Sequence, residues 1–322
     1  MEVTVIIPVY NRERVVQRTL NSVLAQSHRP LQVVLVDNCS TDGSLNVLNR
    51  FAAQHNAPDF RVEVTGESRH TAGAARNRGF AQATGEWVLF FDSDDVMHPQ
   101  LIGRYVSLIA RHYGKLDLVS ARSRLVMPDG GEHELPFHKT DFMAVQILHS
   151  QLATQRYAVR REFFAGTGGW NPDLPGWNDW EMGVRLLLAQ PRMAFLDGNI
   201  DIDIIHSGKD SITGTEFHSR HGQWEHVIDL VADQVGRSTY SNRRRYLRLL
   251  DYRRIALAAQ YRLEGHAELA TPLLQSALGS LCDSYGNGRL WHGVVKPVII
   301  RLYDRIATGK RGSARVARLL IR

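Results

Sequence analysis

Val3-Thr4-Val5-Ile6-Ile7-Pro8 and Leu31-Gln32-Val33-Val34-Leu35-Val36-Asp37 are the segments whose reading decides the fold. Each is a short apolar run, rich in β-branched residues, as a parallel strand covered on both faces requires. Between them Val15, Val16, Leu20, Val23 and Leu24 recur at helical spacing. The unit then repeats. Asp37-Asn38-Cys39-Ser40 closes the second strand, and Ser40-Thr41-Asp42-Gly43-Ser44 reads as a turn capping a helix over residues 45–54. Residues 61–65 suit a third strand and 72–83 a helix of small residues; Trp87-Val88-Leu89-Phe90-Phe91 is a fourth strand running into Asp92. This alternation predicts an α/β domain with a mostly parallel central sheet flanked by helices. Ligands of such sheets bind beyond the carboxyl ends of the strands, where Asp37 and Asp92 fall.

Further along, residues 116–126 are strand-like, and 128–180 are rich in Gly, Pro, His and Trp, which predicts a loop-built site rather than core. Residues 181–189 read as helix, 194–196 and 200–205 as strands, and 224–235, 243–263, 267–283 and 295–307 as helices. The expected organisation is an α/β domain over 1–214 and a helical, basic C-terminal region over 215–322. With 322 residues, 43% hydrophobic and 22% charged, the chain is of ordinary globular composition. Two cysteines, Cys39 and Cys282, exclude a disulfide framework or a zinc cluster and fit a reducing compartment. The first residues lack a basic flank and run into Pro8, and no apolar run approaches the roughly 18 residues of a spanning helix, so neither a signal peptide nor a membrane span is expected. The net charge of +6 is unevenly spread: residues 215–322 hold 18 basic and 9 acidic side chains, and the rest 21 and 24. Two regions with different partners are implied.

Phe90-Phe91-Asp92-Ser93-Asp94-Asp95 sets three carboxylates at the end of an apolar strand. Such carboxylates repel unless a cation lies between them, and hard oxygen ligands suit Mg²⁺ or Mn²⁺. A helix-capping acidic turn would look the same. Asp37 is an acceptor at the same rim, suited to a nucleobase N–H or a ribose hydroxyl, or equally to a turn. Arg76, in Ala72-Gly73-Ala74-Ala75-Arg76-Asn77-Arg78-Gly79, offers a planar guanidinium to pyrophosphate or base. Trp177-Asn178-Asp179-Trp180-Glu181, preceded by Gly168-Gly169-Trp170-Asn171-Pro172-Asp173, combines a candidate general base with aromatic faces on which a sugar can stack. The same tryptophans would also serve as core. His206 follows an apolar strand, as structural histidines often do.

Together these motifs resemble the inverting glycosyltransferases of family 2, which have the GT-A fold. The resemblance covers about residues 3–210 and rests on the ordered set Val5-Ile6-Ile7-Pro8-Val9-Tyr10-Asn11-Arg12, Val36-Asp37-Asn38-Cys39-Ser40-Thr41-Asp42-Gly43-Ser44, Ala75-Arg76-Asn77-Arg78-Gly79, Ala83-Thr84-Gly85-Glu86-Trp87, Asp92-Ser93-Asp94-Asp95 and Asn178-Asp179-Trp180. It implies a sugar transferred from a nucleotide-sugar, most often a UDP-sugar, to an acceptor hydroxyl. Pro8, Tyr10 and Asn11 with Asp37 would hold the base, and Arg76 the base or diphosphate. Asp92 and Ser93 would face the ribose and donor sugar, while Asp94, joined by His206, would bind Mn²⁺ or Mg²⁺. Asp179 matches the base that deprotonates the acceptor. Asp95, Gly169, Trp170, Asp173 and Trp180 are the implied sugar or acceptor contacts.

Three departures from the family pattern stand out. Asn38-Cys39 replaces the more usual Asp-Gly or Asn-Gly, and Asp173 stands where glutamate is common. Asn178 replaces a residue that is usually acidic, which should leave Asp179 a slightly weaker base. Implied partners are the nucleotide-sugar and a glycan or lipid-linked acceptor of bacterial surface polysaccharide or glycolipid synthesis, with no nucleic acid. The implied location is cytoplasmic or peripheral on the inner membrane face. Between Val294 and Arg322, apolar residues alternate with eight basic ones, as in attachment to an anionic membrane surface or in a helical bundle with a basic solvated face. The rival readings are a nucleotidyltransferase and a family member that binds nucleotide or glycan without catalysis. Val9-Tyr10-Asn11-Arg12-Glu13 holds no glycine, against the phosphate loop of the first and the G-x-G-x-x-G of a dinucleotide-dependent oxidoreductase.

Overall fold

The computed structural model describes residues 1–135, 137–205, 216–310 and 312–321. His206 lies outside them. The first compact unit takes in Met1–Lys139 and the chain from Leu152 onward; the second takes in Thr140–Gln151 and the C-terminal helices.

The first unit begins β1 (Val3–Val9), α1 (Val16–Leu24), β2 (Leu31–Asp37), α2 (Ser44–His55), β3 (Phe60–Gly66), α3 (Ala72–Phe80) and β4 (Trp87–Phe90). β5 (Val96–Met97), α4 (Leu101–Arg111), β6 (Leu118–Ser120), β7 (Ser123–Val126) and β8 (Glu132–Glu134) follow. After α5 (Phe142–His149), which belongs to the second unit, come β9 (Tyr157–Arg160), α6 (Arg161–Gly166), α7 (Asn178–Leu188), β10 (Met193–Phe195) and β11 (Ile202–Ile205). The main sheet has the order β10-β6-β9-β4-β1-β2-β3. β1 pairs in parallel with both β2 and β4, and β2 with β3. β9 runs antiparallel to β4 and β6.

The physical reason for the parallel half is the one read in the sequence. Every residue of β2 is buried, as is every residue of β1 except the half-buried Pro8, because helices cover both faces. α1 turns Val16, Leu20 and Val23 into this core. α3 lies unusually close to it: a Cβ on Gly79 would meet Ile6 Cγ2 at 2.4 Å, so only glycine admits the helix to this depth. The strand order reverses at β1, between β2 and β4. That reversal opens a crevice beyond the carboxyl ends of these strands.

The stretch 128–180, expected as loops, contributes a central strand. Tyr157 and Val159 of β9 are fully buried and Ala158 is 2% exposed. Four residues show no periodicity long enough to be recognised. A second sheet, β5-β11-β7-β8, lies beside the acidic turn that joins β4 to β5.

The second unit holds α5, α8 (Gln223–Arg237), α9 (Arg243–Leu263), α10 (Ala267–Tyr285), α11 (Lys296–Ala307) and α12 (Ser313–Leu320). α9 is its axis, packed by α5, α8, α10 and α11, and residues from Tyr246 to Tyr261 are buried on several of its faces. The expected boundary after residue 214 lies outside the described residues. The helical unit, however, also draws in α5, whose Met143, Ala144, Val145, Gln146 and Ile147 are all buried. A helix apolar on nearly every side has to be enclosed by others. No helix among the described residues is long and apolar enough to cross a membrane.

Candidate functional site

Because β1 and β2 are in register, Val9 stands opposite Asp37 and both strands end together. Tyr10, just beyond β1, is 51% exposed and meets His70 edge-on at 6.2 Å. The buried Asp37 carboxylate uses Oδ2 to accept from Ser40 N at 3.2 Å, while its buried Oδ1 has no hydrogen-bond partner among the described residues. An unpaired buried acceptor costs about 1–3 kcal/mol, which a ligand N–H or O–H would relieve. Asn11 and Cys39 adopt positive φ, 51° and 61°. Asn11 spends its side chain on the turn, accepting from Thr41 N at 2.8 Å. Pro8 lies half-buried in β1 opposite Val36.

The acidic turn follows β4. Asp92 and Asp94 keep 31% and 20% of their side-chain surface open to solvent. Asp94 lies 3.7 Å from Arg12 Nε, and its carbonyl accepts from Arg18 at 3.1 and 2.7 Å. Burial, and then the neighbouring Asp92 charge, push the Asp94 carboxyl above the usual range. Two partly open carboxylates in one turn fit a hard divalent cation. Asp95 is different. Its Oδ1 accepts from Ile205 N at 2.8 Å and its Oδ2 from Gln155 Nε2 at 2.5 Å, and only 2% of the residue is exposed. Burial, with Asp92 and Asp94 beside it, pushes this carboxyl well up. Both of its oxygens thus already serve the protein. Ser93 is also buried.

Arg76 joins the acidic turn to the second cluster. Its Nη2 donates to Asp92 Oδ1 at 2.7 Å and its Nη1 to Asn178 Oδ1 at 3.5 Å, while its guanidinium lies 4.6 Å above the Trp170 ring. Only 5% of Arg76 is exposed. Asn178 opens α7 and also accepts from Asp179 N at 3.0 Å; Asp179 Oδ1 accepts from Trp180 N at 2.8 Å. Trp177, just before the helix, holds φ at 53°, a conformation costly for a bulky side chain. The phenol of Tyr157, pushed up by burial, feels Arg76, Asp179, Arg185 and Asp92 together. Asp92, Arg76 and Asp179 thus share one site.

Trp170 and Trp180 are 1% and 0% exposed, so neither offers a face to a sugar. Trp170 packs edge-on against Phe90 at 5.2 Å as part of the floor. The half-buried Trp177, 5.7 Å from Trp180, is the tryptophan at the rim. Gly169 offers its carbonyl to Arg185 at 2.6 Å. Asp173, largely exposed, pairs with Arg69. Sequence reasoning assigned no role to Arg12, Arg18, Asn77, Gln155 or Tyr157. Of these only Arg12 and Asn77 lay inside a recognised motif. Among the described residues no three His, Cys, Asp or Glu side chains gather as a complete metal site.

The sequence profile described as glycosyl transferase family 2 matches residues 4–164. The chain belongs to glycosyltransferase family 2. An uncharacterized glycosyltransferase of Nostoc sp. is 39% identical over 132 residues, which are 41% of this chain and 39% of that protein. The poly(ribitol-phosphate) β-N-acetylglucosaminyltransferase TarS of Staphylococcus aureus is 32% identical over 124 residues, 38% of this chain and 21% of TarS. These matches span two fifths or less of the relatives' length. The crystal structure of TarS 1–349 with UDP-GlcNAc aligns with 99% of this chain and 90% of that one, at a TM-score of 0.73 and 18% identity. A Pyrobaculum calidifontis mannosyltransferase in complex with GDP-Man and Mn²⁺ aligns with 99% of this chain and 85% of that one, at 0.59 and 20%. These likenesses show the fold, which is GT-A.

Proposed function

We propose that this chain transfers a sugar, with inversion, from a UDP-sugar to an acceptor hydroxyl in the building of a bacterial surface polysaccharide or glycolipid. The observation that carries the reading is Arg76, which spans from Asp92 at the donor side to Asn178 beside Asp179. Asp37 Oδ1, buried and unpaired, supports binding of a base that presents an N–H, as uracil does. The half-exposed Tyr10 ring beside it would cover one face of that base.

Asp179 takes the proton of the acceptor hydroxyl while the acceptor oxygen attacks the anomeric carbon from the face opposite the diphosphate. The bond from that carbon to the phosphate oxygen breaks, and its electron pair leaves with the nucleoside diphosphate. Arg12 and Arg18 stand beside Asp94 and add positive charge on the leaving side. Asp94 and Asp92 would hold a divalent cation, Mn²⁺ or Mg²⁺. That ion supplies charge neutralisation for the departing diphosphate. TarS, named as an N-acetylglucosaminyltransferase and solved with UDP-GlcNAc, makes that donor the first to try.

The test is nucleotide release across UDP-, GDP- and dTDP-sugars with Mn²⁺, beside calorimetric titration of each nucleotide. Turnover with UDP-sugars is expected, and Asp179→Asn should bind donor normally while transfer drops by at least about a hundredfold. Binding without turnover in the unmodified protein would leave a nucleotide-binding member of the family. An Asp179→Asn variant of normal rate would remove Asp179 from the base role.

A further inference from the structure

We propose that the C-terminal end of the helical unit docks on an anionic bilayer surface. From Lys296 to Arg322 the chain carries eight basic residues against one acidic residue, Asp304. α11 buries Ile299 and Leu302, and the α12 segment buries Ser313, Ala317 and Ile321. Arg245 of α9 fixes the inner side of α12 by donating from Nε to the Ile321 carbonyl at 2.9 Å.

The outward residues are unusual for a solvated helix. Val316 and Leu319 are 44% and 60% exposed and lie about one turn apart, next to the exposed Arg315. Leu290 and Val294, 58% and 48% exposed, repeat the arrangement beside the exposed Lys296. Exposed aliphatic pairs alone would suit an apolar protein partner. Cations alone would suit any polyanion. Aliphatic side chains interleaved with cations match a surface that offers hydrocarbon beneath anionic headgroups. The inference is independent of which sugar the α/β unit transfers, or whether it transfers one.

The experiment is co-sedimentation of the full chain with phosphatidylglycerol–phosphatidylcholine vesicles and with phosphatidylcholine vesicles, at low and high salt. Binding is expected only to the anionic vesicles and should weaken as salt rises. Val316→Asp with Leu319→Asp should lower the partition about tenfold or more, and Arg301→Glu with Arg315→Glu should do the same. Leu290→Asp with Val294→Asp is a second apolar test should the first pair disturb folding, which thermal melting reports. Absence of binding to anionic vesicles overturns the proposal. So does binding lost in the glutamate variant but kept in both aspartate variants, since that would be a general polyanion surface.

Discussion

Arg76 is a cation almost out of water, held by one carboxylate, one amide oxygen and the face of Trp170. A charge so placed is tolerated only while its partners stay, so it acts as a fixed spacer between Asp92 and the start of α7. Asp95 is the complementary case, a buried carboxyl whose neighbours are the Ile205 amide and Gln155. Its position argues that it shapes the acidic turn. Asp95→Asn should therefore weaken UDP and UDP-GlcNAc binding by a similar factor, up to about tenfold, because the hydrogen bonds from Ile205 N and Gln155 that hold the turn are weakened or lost. Calorimetric titration of both ligands with Mn²⁺ is the measurement. Loss confined to UDP-GlcNAc would make Asp95 a sugar contact instead.

The elements that carry the site are fastened to one another rather than to solvent. Asn77 of α3 donates to the Trp170 carbonyl at 2.8 Å and accepts from Trp170 N at 2.9 Å, gripping the loop before α7 by its backbone. A Cβ on Gly73 would come within 2.7 Å of the Asn171 carbonyl, so the bare glycine lets the loop close down on the helix. Within α7, the bidentate Arg185–Glu181 pair extends to the Gly169 carbonyl. Asn77→Ala would strand both backbone polar groups of Trp170. A loss of about 2–3 kcal/mol in a denaturant titration is expected, with transfer reduced as the support under Arg76 loosens. An unchanged midpoint would show that the loop holds without this grip.

Across the whole molecule, acid stability is set by carboxylates of opposite tendency. Asp117 accepts from Arg192 side-chain nitrogens at 2.8 and 2.8 Å and from its backbone at 3.0 Å, which holds its carboxyl below the ordinary value. A lowered folded pKa contributes stability at pH above the unfolded value, and that contribution is lost as pH falls through the folded one. Asp201 and Asp251, raised by burial, act in the other direction and favour folding less as pH climbs past their unfolded value. Asp117→Asn should melt below the unmodified protein at neutral pH, and the gap should close on acidification below about pH 4. Thermal melting across pH checks this. A gap that persists in acid would assign the effect to packing.

The amino-acid sequence by itself determined the strand–helix alternation as far as β4, the acidic strand ends, the helices of the C-terminal third and the family. These are short-range properties: side-chain period along a strand or helix, and residue types beside one another. Tertiary structure alone decided that Asp95, Trp170 and Trp180 face inward, that Tyr157–Arg160 completes the sheet between β4 and β6, and that Arg76 reaches Asn178. Each of these depends on which distant segment excludes water from a side chain. Trp170 and the half-buried Trp177 are the same residue type seven positions apart, yet one is floor and the other rim. Burial belongs to the packed assembly of segments, and no local pattern records it.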